Sequence, residues 1–382
     1  MKNSPRLVIA TEIMEQFAED TGLTGTQKPQ RYLWTDAFAV CNYLEIHRLD
    51  GDKRFQEFAL RLVDQVHEIL GRHRQDDFRS GWIGGQTEEE GGKHPTAGGL
   101  RIGKTMPERQ LDEEFNQRLE WERDGQYYHY LTKWMQALHK LASATGDTLY
   151  DTWARELAEA AHTGFTHIIE EGGAKKMYWK MSIDLSRPLV PAMGHHDPLD
   201  GYLTYLELEE SAPGDLERQV TEMRGLCQNR DWTTDDPLGL GTILCDCLRA
   251  LRLAEVRPKQ LLPLLKDLLT AAVDGLRHYA RQAPLLQPAE YRLAFRELGL
   301  AIGLQALPLL KHNFTAGSTT KGDIDTITNM IEALSAYENM GVEIEEYWLA
   351  AENRRVLPWI EHRHINMVML ATRLVPGGFL KK

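Results

Sequence analysis

The sequence is poor in cysteine. Cys41, Cys227, Cys245 and Cys247 are the only four in 382 residues, and none forms a Cys-x-x-Cys pair, which excludes a disulfide scaffold and the commonest zinc spacing. Three stand in helix-like surroundings, where a cysteine acts as a small buried hydrophobe. Long apolar runs are missing too. Residues 7–10 form an apolar run that ends before Glu12, too short for the core of an export signal, and the stretch 261–276 is cut by Lys266 and Asp274, too impure to cross a bilayer. A soluble, cytoplasmic protein without a membrane partner is therefore expected. Positive charge is in deficit: 44 Lys and Arg against 56 Asp and Glu leave a net charge of -12, which argues against a nucleic-acid partner. Nor is there any alternation of strand-like and helix-like segments, which excludes a parallel-sheet α/β fold.

Helical periodicity is what the chain has. Phe55, Phe58, Leu62, Val66 and Ile69 recur at spacings of three and four, as do Trp153, Leu157, Ala161, Phe165 and Ile168, and again Leu261, Leu265, Leu268, Leu269 and Ala272. Gly-Asp pairs at 51–52, 146–147, 214–215 and 322–323 stand before amphipathic runs, glycine closing one helix and aspartate capping the next. Aligning the first two turns lays Phe55 over Tyr150 and Leu62 over Leu157, a weak helix–turn–helix repeat. The pattern predicts helices near 9–20, 31–49, 53–71, 126–145, 148–169, 198–210, 215–228, 237–251, 258–281, 288–311, 323–339 and 361–374, which make six hairpins. Segments 237–251 and 293–310 are apolar over most of their circumference and are read as inner helices. Residues 71–123 carry nine glycines and no helical period, and are read as a long loop, with at most a short β-hairpin, covering a site.

Polar and aromatic residues gather where the inner helices start. The first start reads Arg31-Tyr-Leu-Trp34-Thr35-Asp36: a carboxylate beside Trp34 suits a general acid and the indole a sugar face, although capping and core packing explain the same letters. The second holds Tyr127, Tyr128, His129, Tyr130, Lys133 and Trp134, of which Tyr127, Tyr130 and Trp134 share a helical face. The third, Gly194-His195-His196-Asp197-Pro198-Leu-Asp200-Gly201, supplies two imidazoles and two carboxylates where a cap needs one aspartate. Trp232 precedes Asp235-Asp236-Pro237 at the fourth, and at the fifth Arg292 offers a guanidinium to a substrate anion or to Glu297.

These aromatic-acidic starts and the six hairpins resemble the six-hairpin glycosidase-like superfamily. The resemblance implies one all-α domain over residues 1–382, an (α/α)6 toroid with the 71–123 insertion over its funnel. It further implies a carbohydrate-active enzyme, with a carbohydrate hydrolase and a sugar epimerase as the comparable activities.

Gly98-Gly-Leu-Arg101-Ile-Gly103-Lys104-Thr105 satisfies the phosphate-loop pattern, yet no strand leads in and no helix leads out, as the mechanism requires. Arg101 and Lys104, with Arg109, are read instead as a cationic lip over the substrate. His362 and His364, or Cys245 and Cys247, lie about 200° apart on a helix and cannot easily share an ion. If a metal were bound, His195, His196 and Asp197 are the nearest to a ligand set, but no metal or cofactor is expected.

The expected function is glycoside hydrolase-like, with Asp36 and Asp197 or Asp200 dividing acid and base roles, and Arg31, Trp34, Arg101, Lys104, Tyr127, Tyr130, Trp232 and Arg292 contacting the sugar. The alternatives are an epimerase or isomerase using His195, His196 and His129, and a non-enzymatic helical binding scaffold without convergent titratable groups.

Overall fold

The computed structural model describes residues 4–168, 175–314 and 321–381. Two compact units divide the chain: residues 15–228, and residues 1–14 with 229–382. No helix among the described residues is long and apolar enough to cross a membrane.

The first unit is built on helical hairpins. Helix α1 (Pro5–Asp20) enters it, followed by α2 (Leu33–Asp50) and α3 (Lys53–Leu70). Gly51 takes the left-handed conformation at φ 84° and the Asp52 carboxylate accepts the Arg54 amide, so the Gly-Asp turn forms as its letters predict. The two helices differ in burial. Every residue of α2 from 33 to 46 is buried, whereas α3 buries Phe55, Ala59, Leu62, Val63, Val66 and Leu70 and turns its charges outward. After α4 (Glu88–Lys93) and α5 (Gln117–Glu122), a second hairpin joins α6 (Tyr128–Thr145) to α7 (Leu149–Phe165) through Gly146, at φ 76°, and Asp147, which accepts the Leu149 amide. A third joins α8 (Asp197–Ser211) to α9 (Glu217–Cys227). Its turn departs from expectation: Gly214 is left-handed, but Glu209 of α8, not Asp215, accepts the Gly214 and Leu216 amides.

Short strands complete this unit. The strands are β1 (Gln126–Tyr127), β2 (Thr166–Ile168), β3 (Lys175–Met177), β4 (Lys180–Met181) and β5 (Pro188–Val190). They form an antiparallel sheet in the order β1-β4-β5 and a β2-β3 hairpin, pairing Gln126 with Met181, Lys180 with Val190 and Thr166 with Met177. Within 71–123 there are only isolated bridges, such as Arg72 to Trp82, so the sheet lies where no strand was predicted.

The second unit carries α10 (Pro237–Ala254), α11 (Pro258–Arg281), α12 (Ala294–Leu304), α13 (Ala306–Asn313), α14 (Lys321–Ser335), α15 (Glu338–Leu349), α16 (Leu357–Glu361), α17 (Arg363–Leu374) and α18 (Gly377–Leu380). The single helix predicted over 288–311 is divided. Its first residues form a 3-10 turn at Ala289–Tyr291, and α12 gives way to α13 because Pro308 has no amide for the Leu304 carbonyl. Helix α15 was not predicted, and Gly322 and Asp323 lie inside α14 rather than before it. Asp236 caps α10 by accepting the Gly239 amide, with Pro237 in the first turn.

Glycine sets the spacing of α10 and α12. A Cβ on Gly241 would lie 2.1 Å from the Gly299 carbonyl oxygen, and one on Gly303 would lie 2.4 Å from that of Gly241. The helices therefore pack backbone to backbone. Gly241→Ala is expected to destabilise the protein by about 1–3 kcal/mol through overpacking, read as a fall in Tm; an unchanged Tm would contradict this contact.

Candidate active site

The candidate site belongs to the first unit and begins with a buried lock between α6 and α8. Lys133 Nζ lies 2.8 and 3.0 Å from the two oxygens of Asp200, and Thr132 Oγ1 donates to Asp200 Oδ2 at 2.8 Å. One turn before Lys133 stands His129, and three residues before Asp200 stands Asp197. The lock thus sets these two opposite each other, with His129 Nδ1 3.6 Å from Asp197 Oδ1, an electrostatic contact rather than a hydrogen bond.

Local geometry explains why Asp197 is not taken up as a helix cap. It occupies the first helical position and His196 is the N-cap, with Pro198 in the first turn. A Cβ on Gly194 would fall 2.4 Å from Asp197 Oδ2, so only glycine lets the 194–196 turn lie against the carboxylate. His195 is exposed and His196 half-buried, their rings edge to face at 4.6 Å.

His129 is enclosed by aromatic rings. Tyr127 lies 5.4 Å away, Tyr130 4.8 Å, and Trp179 6.4 Å in a nearly parallel stack. Burial pushes its pKa down to about 4, with Lys133 lowering it further and the Asp200 charge opposing. The imidazole is therefore neutral at pH 7. The Tyr130 hydroxyl meets that of Tyr32 at 2.7 Å.

Tyr127 and Trp179 also line a cleft of about 580 Å³, with Phe115, Trp121, Pro188 and Pro191 among its other walls. Trp121 packs edge-on against Trp179 at 4.7 Å. Lys180, wholly buried, supports this wall from behind by donating to the Glu120 and Arg123 carbonyls. The 71–123 insertion is fastened to the same wall by Arg79, whose guanidinium donates to Asp77 at 2.7 Å, Glu108 at 2.5 Å and Asp184 at 2.9 Å. Glu108 in turn accepts the Ile183 amide at 2.7 Å.

Tyr127, Tyr130, Asp197 and Asp200 thus gather around His129. The other residues expected at the site lie in different surroundings. Asp36 is buried, accepts the Tyr32 amide and lies 3.6 Å from Arg31, whose own guanidinium donates to the Thr21 carbonyl; burial raises the Asp36 pKa to about 6 against the pull of Arg31. Trp34 is in the core against Phe38. Arg101 is no cationic lip: it is buried, bonded to Asp124 at 2.5 Å and to the Ile69 and Arg72 carbonyls, while Lys104 donates to the Trp121 carbonyl. The glycines of the phosphate-loop match serve close packing, for a Cβ on Gly99 would strike the Gln126 side chain and one on Gly103 the Arg31 carbonyl. In the second unit Trp232 is buried, and Arg292 is buried in an ion pair with Glu297 at 2.6 Å and stacked over Tyr347 at 3.7 Å. Among the described residues no three His, Cys, Asp or Glu side chains gather as a metal site.

Sequence reasoning missed Trp179, Trp121 and Phe115. They sit in or beside elements of two to six residues, too short for periodicity to mark.

No family model matches the chain, and no curated protein matches it by sequence. Solved structures do. A GH76 alpha-mannanase from Bacteroides thetaiotaomicron matches with a TM-score of 0.56 at 11% identity over 100% of this chain and 98% of its own. A D-mannose isomerase matches with a TM-score of 0.54 at 12% identity, over 98% and 99%. The fold is the (α/α)6 toroid. A GH76A alpha-1,6-mannanase from Salegentibacter sp. HEL1_6 agrees, with a TM-score of 0.53 at 12% identity over 96% and 98%. The toroid shared with these proteins accords with the alternation of buried and amphipathic helices in α2 and α3.

Two outcomes follow from this geometry. Arg79→Met leaves Glu108 and Asp77 without their cation and is expected to cost about 3 kcal/mol, lowering the Tm; an unchanged melting curve would show the wall to be held otherwise. The folded pKa of His129 lies below its unfolded value of about 6.5, so its contribution to stability is complete above pH 6.5 and is lost as pH falls towards 4. Denaturation of wild type and His129→Gln across pH 4–7 is expected to show the steeper acid decline in wild type, and parallel curves would contradict the shift.

Proposed function

We propose that the protein is a carbohydrate-active enzyme in which a sugar stacks on Trp179 and Tyr127 and His129, oriented by Asp197, transfers a proton. The observation that carries this reading is a partly exposed imidazole facing a carboxylate at 3.6 Å beside an aromatic cleft. Aromatic rings suit the apolar face of a sugar, and an imidazole neutral at pH 7 has its lone pair open to a proton, with the facing Asp197 carboxylate supplying the charge that favours the protonated form.

Between the two enzymatic readings, the ion pairs favour proton transfer at a sugar carbon, as in an isomerase or epimerase. Asp200 is engaged by Lys133 and Asp36 by Arg31, so two of the three carboxylates considered for glycosidic hydrolysis already face cations. Asp197, across from His129, supports the imidazolium that forms once the base has taken its proton. The solved proteins of like fold are named as mannanases and a mannose isomerase, and this supports a carbohydrate as the substrate class.

The test is a panel of free aldoses, ketoses and oligosaccharides incubated in deuterated buffer and followed by NMR. Deuterium incorporation at the carbon beside the carbonyl is expected, with His129→Gln slowing it by about 10²–10⁴-fold. Release of reducing ends without incorporation would replace this reading with hydrolysis, and no turnover of any sugar would refute it.

A further inference from the structure

We propose that the aromatic cleft receives an apolar, flat substituent of the substrate, an aglycone rather than a second sugar. This rests on the reading of His129 and its neighbours as a sugar site and names what extends from that sugar.

The cleft has the volume of a site for a drug-sized molecule, about 300–1,000 Å³, and its 580 Å³ lies to one side of His129, reached through the shared walls Tyr127 and Trp179. Its chemistry is one-sided. Beyond those two rings the walls are Phe115, Trp121, Leu189, Val190 and two prolines, Pro188 and Pro191. Apart from the Tyr127 hydroxyl and the two indole N–H groups, which sit on the rims of stacking rings, three lining side chains are polar. Arg109 Nε donates to Glu120 Oε1 at 2.5 Å, so two of the three neutralise each other, and the third, Gln117, is exposed.

A second sugar ring would bring hydroxyls on its edges into this space. A sugar subsite needs convergent donors and acceptors around its stacking ring, because a hydroxyl removed from water without a partner is costly. The paired Arg109 and Glu120 do not supply that set. An aryl group loses no hydrogen bonds on entry and meets both faces and edges of the Trp121–Trp179 pair. Trp121 is 44% exposed and Phe115 54%. Large apolar side chains left open at the mouth of a cleft mark a surface that a ligand covers.

The experiment compares methyl and phenyl glycosides of the same sugars, and phenol alone as a sugar-free probe. Affinities come from calorimetry, and indole NMR signals of Trp121 and Trp179 report occupancy. Phenyl glycosides are expected to bind about tenfold or more tighter than their methyl counterparts, and phenol to shift both indole signals. Trp121→Ala is expected to collapse the phenyl-to-methyl ratio towards one. Phe115→Ala, at a more exposed position, is expected to reduce it and serves should the tryptophan variant not fold. Equal affinities for methyl and phenyl glycosides, with no indole shift on adding phenol, would overturn the proposal. Binding of phenol at the two indoles with no binding of any glycoside would sustain the apolar cleft and refute the sugar site.

Discussion

The Lys133–Asp200 contact is the constraint on which the candidate site depends. It is a buried ion pair backed by Thr132, and it joins two helices at one fixed register. A buried pair of this kind adds little net stability compared with apolar residues of the same volume, but removing either partner strands a charge. Its effect here is positional. Sliding α8 along α6 would break the pair, so the side chains one turn away, His129 and Asp197, keep their mutual placement, and the rings that lower the His129 pKa stay around it.

The same economy recurs around the cleft. Arg79 gathers three carboxylates from 77, 108 and 184, and Lys180 crosses beneath the wall to the 120–123 carbonyls. Short strands without a core of their own are thereby held by charged side chains anchored in the long insertion. The insertion contributes Phe115 and Trp121 to the cleft wall, while Arg101 stays inside the fold. Net charge, far to the acidic side, says little about this arrangement, because the cations that matter are internal.

Much of the fold was legible because helix formation is local. The three-and-four spacing of Phe55, Leu62 and Val66 located α3, and Gly51-Asp52 located its start, each within a few residues of sequence. The 194–201 stretch stood out because two histidines exceed what a cap requires, and its Asp197 and Asp200 lie against His129 and Lys133. What escaped notice depends on distant partners. Arg101 looked like a surface cation until Asp124, 23 residues on, proved to bind it. The partner of Asp36, Arg31, lies five residues before it, and the burial of the pair was not visible in the letters. Glu209 replaced Asp215 as the cap because a side chain from the preceding helix reached back to the turn. Trp179 carried no local signal, since the strand beside it is two residues long.

The central claim is that His129 is held neutral beside Asp197 in an aromatic enclosure. A ¹³C/¹⁵N NMR titration of the His129 imidazole tests it most directly. The account predicts a ring that stays neutral through pH 7 and takes up its proton near pH 4, and a pKa at or above the ordinary histidine value of about 6.5 would contradict it.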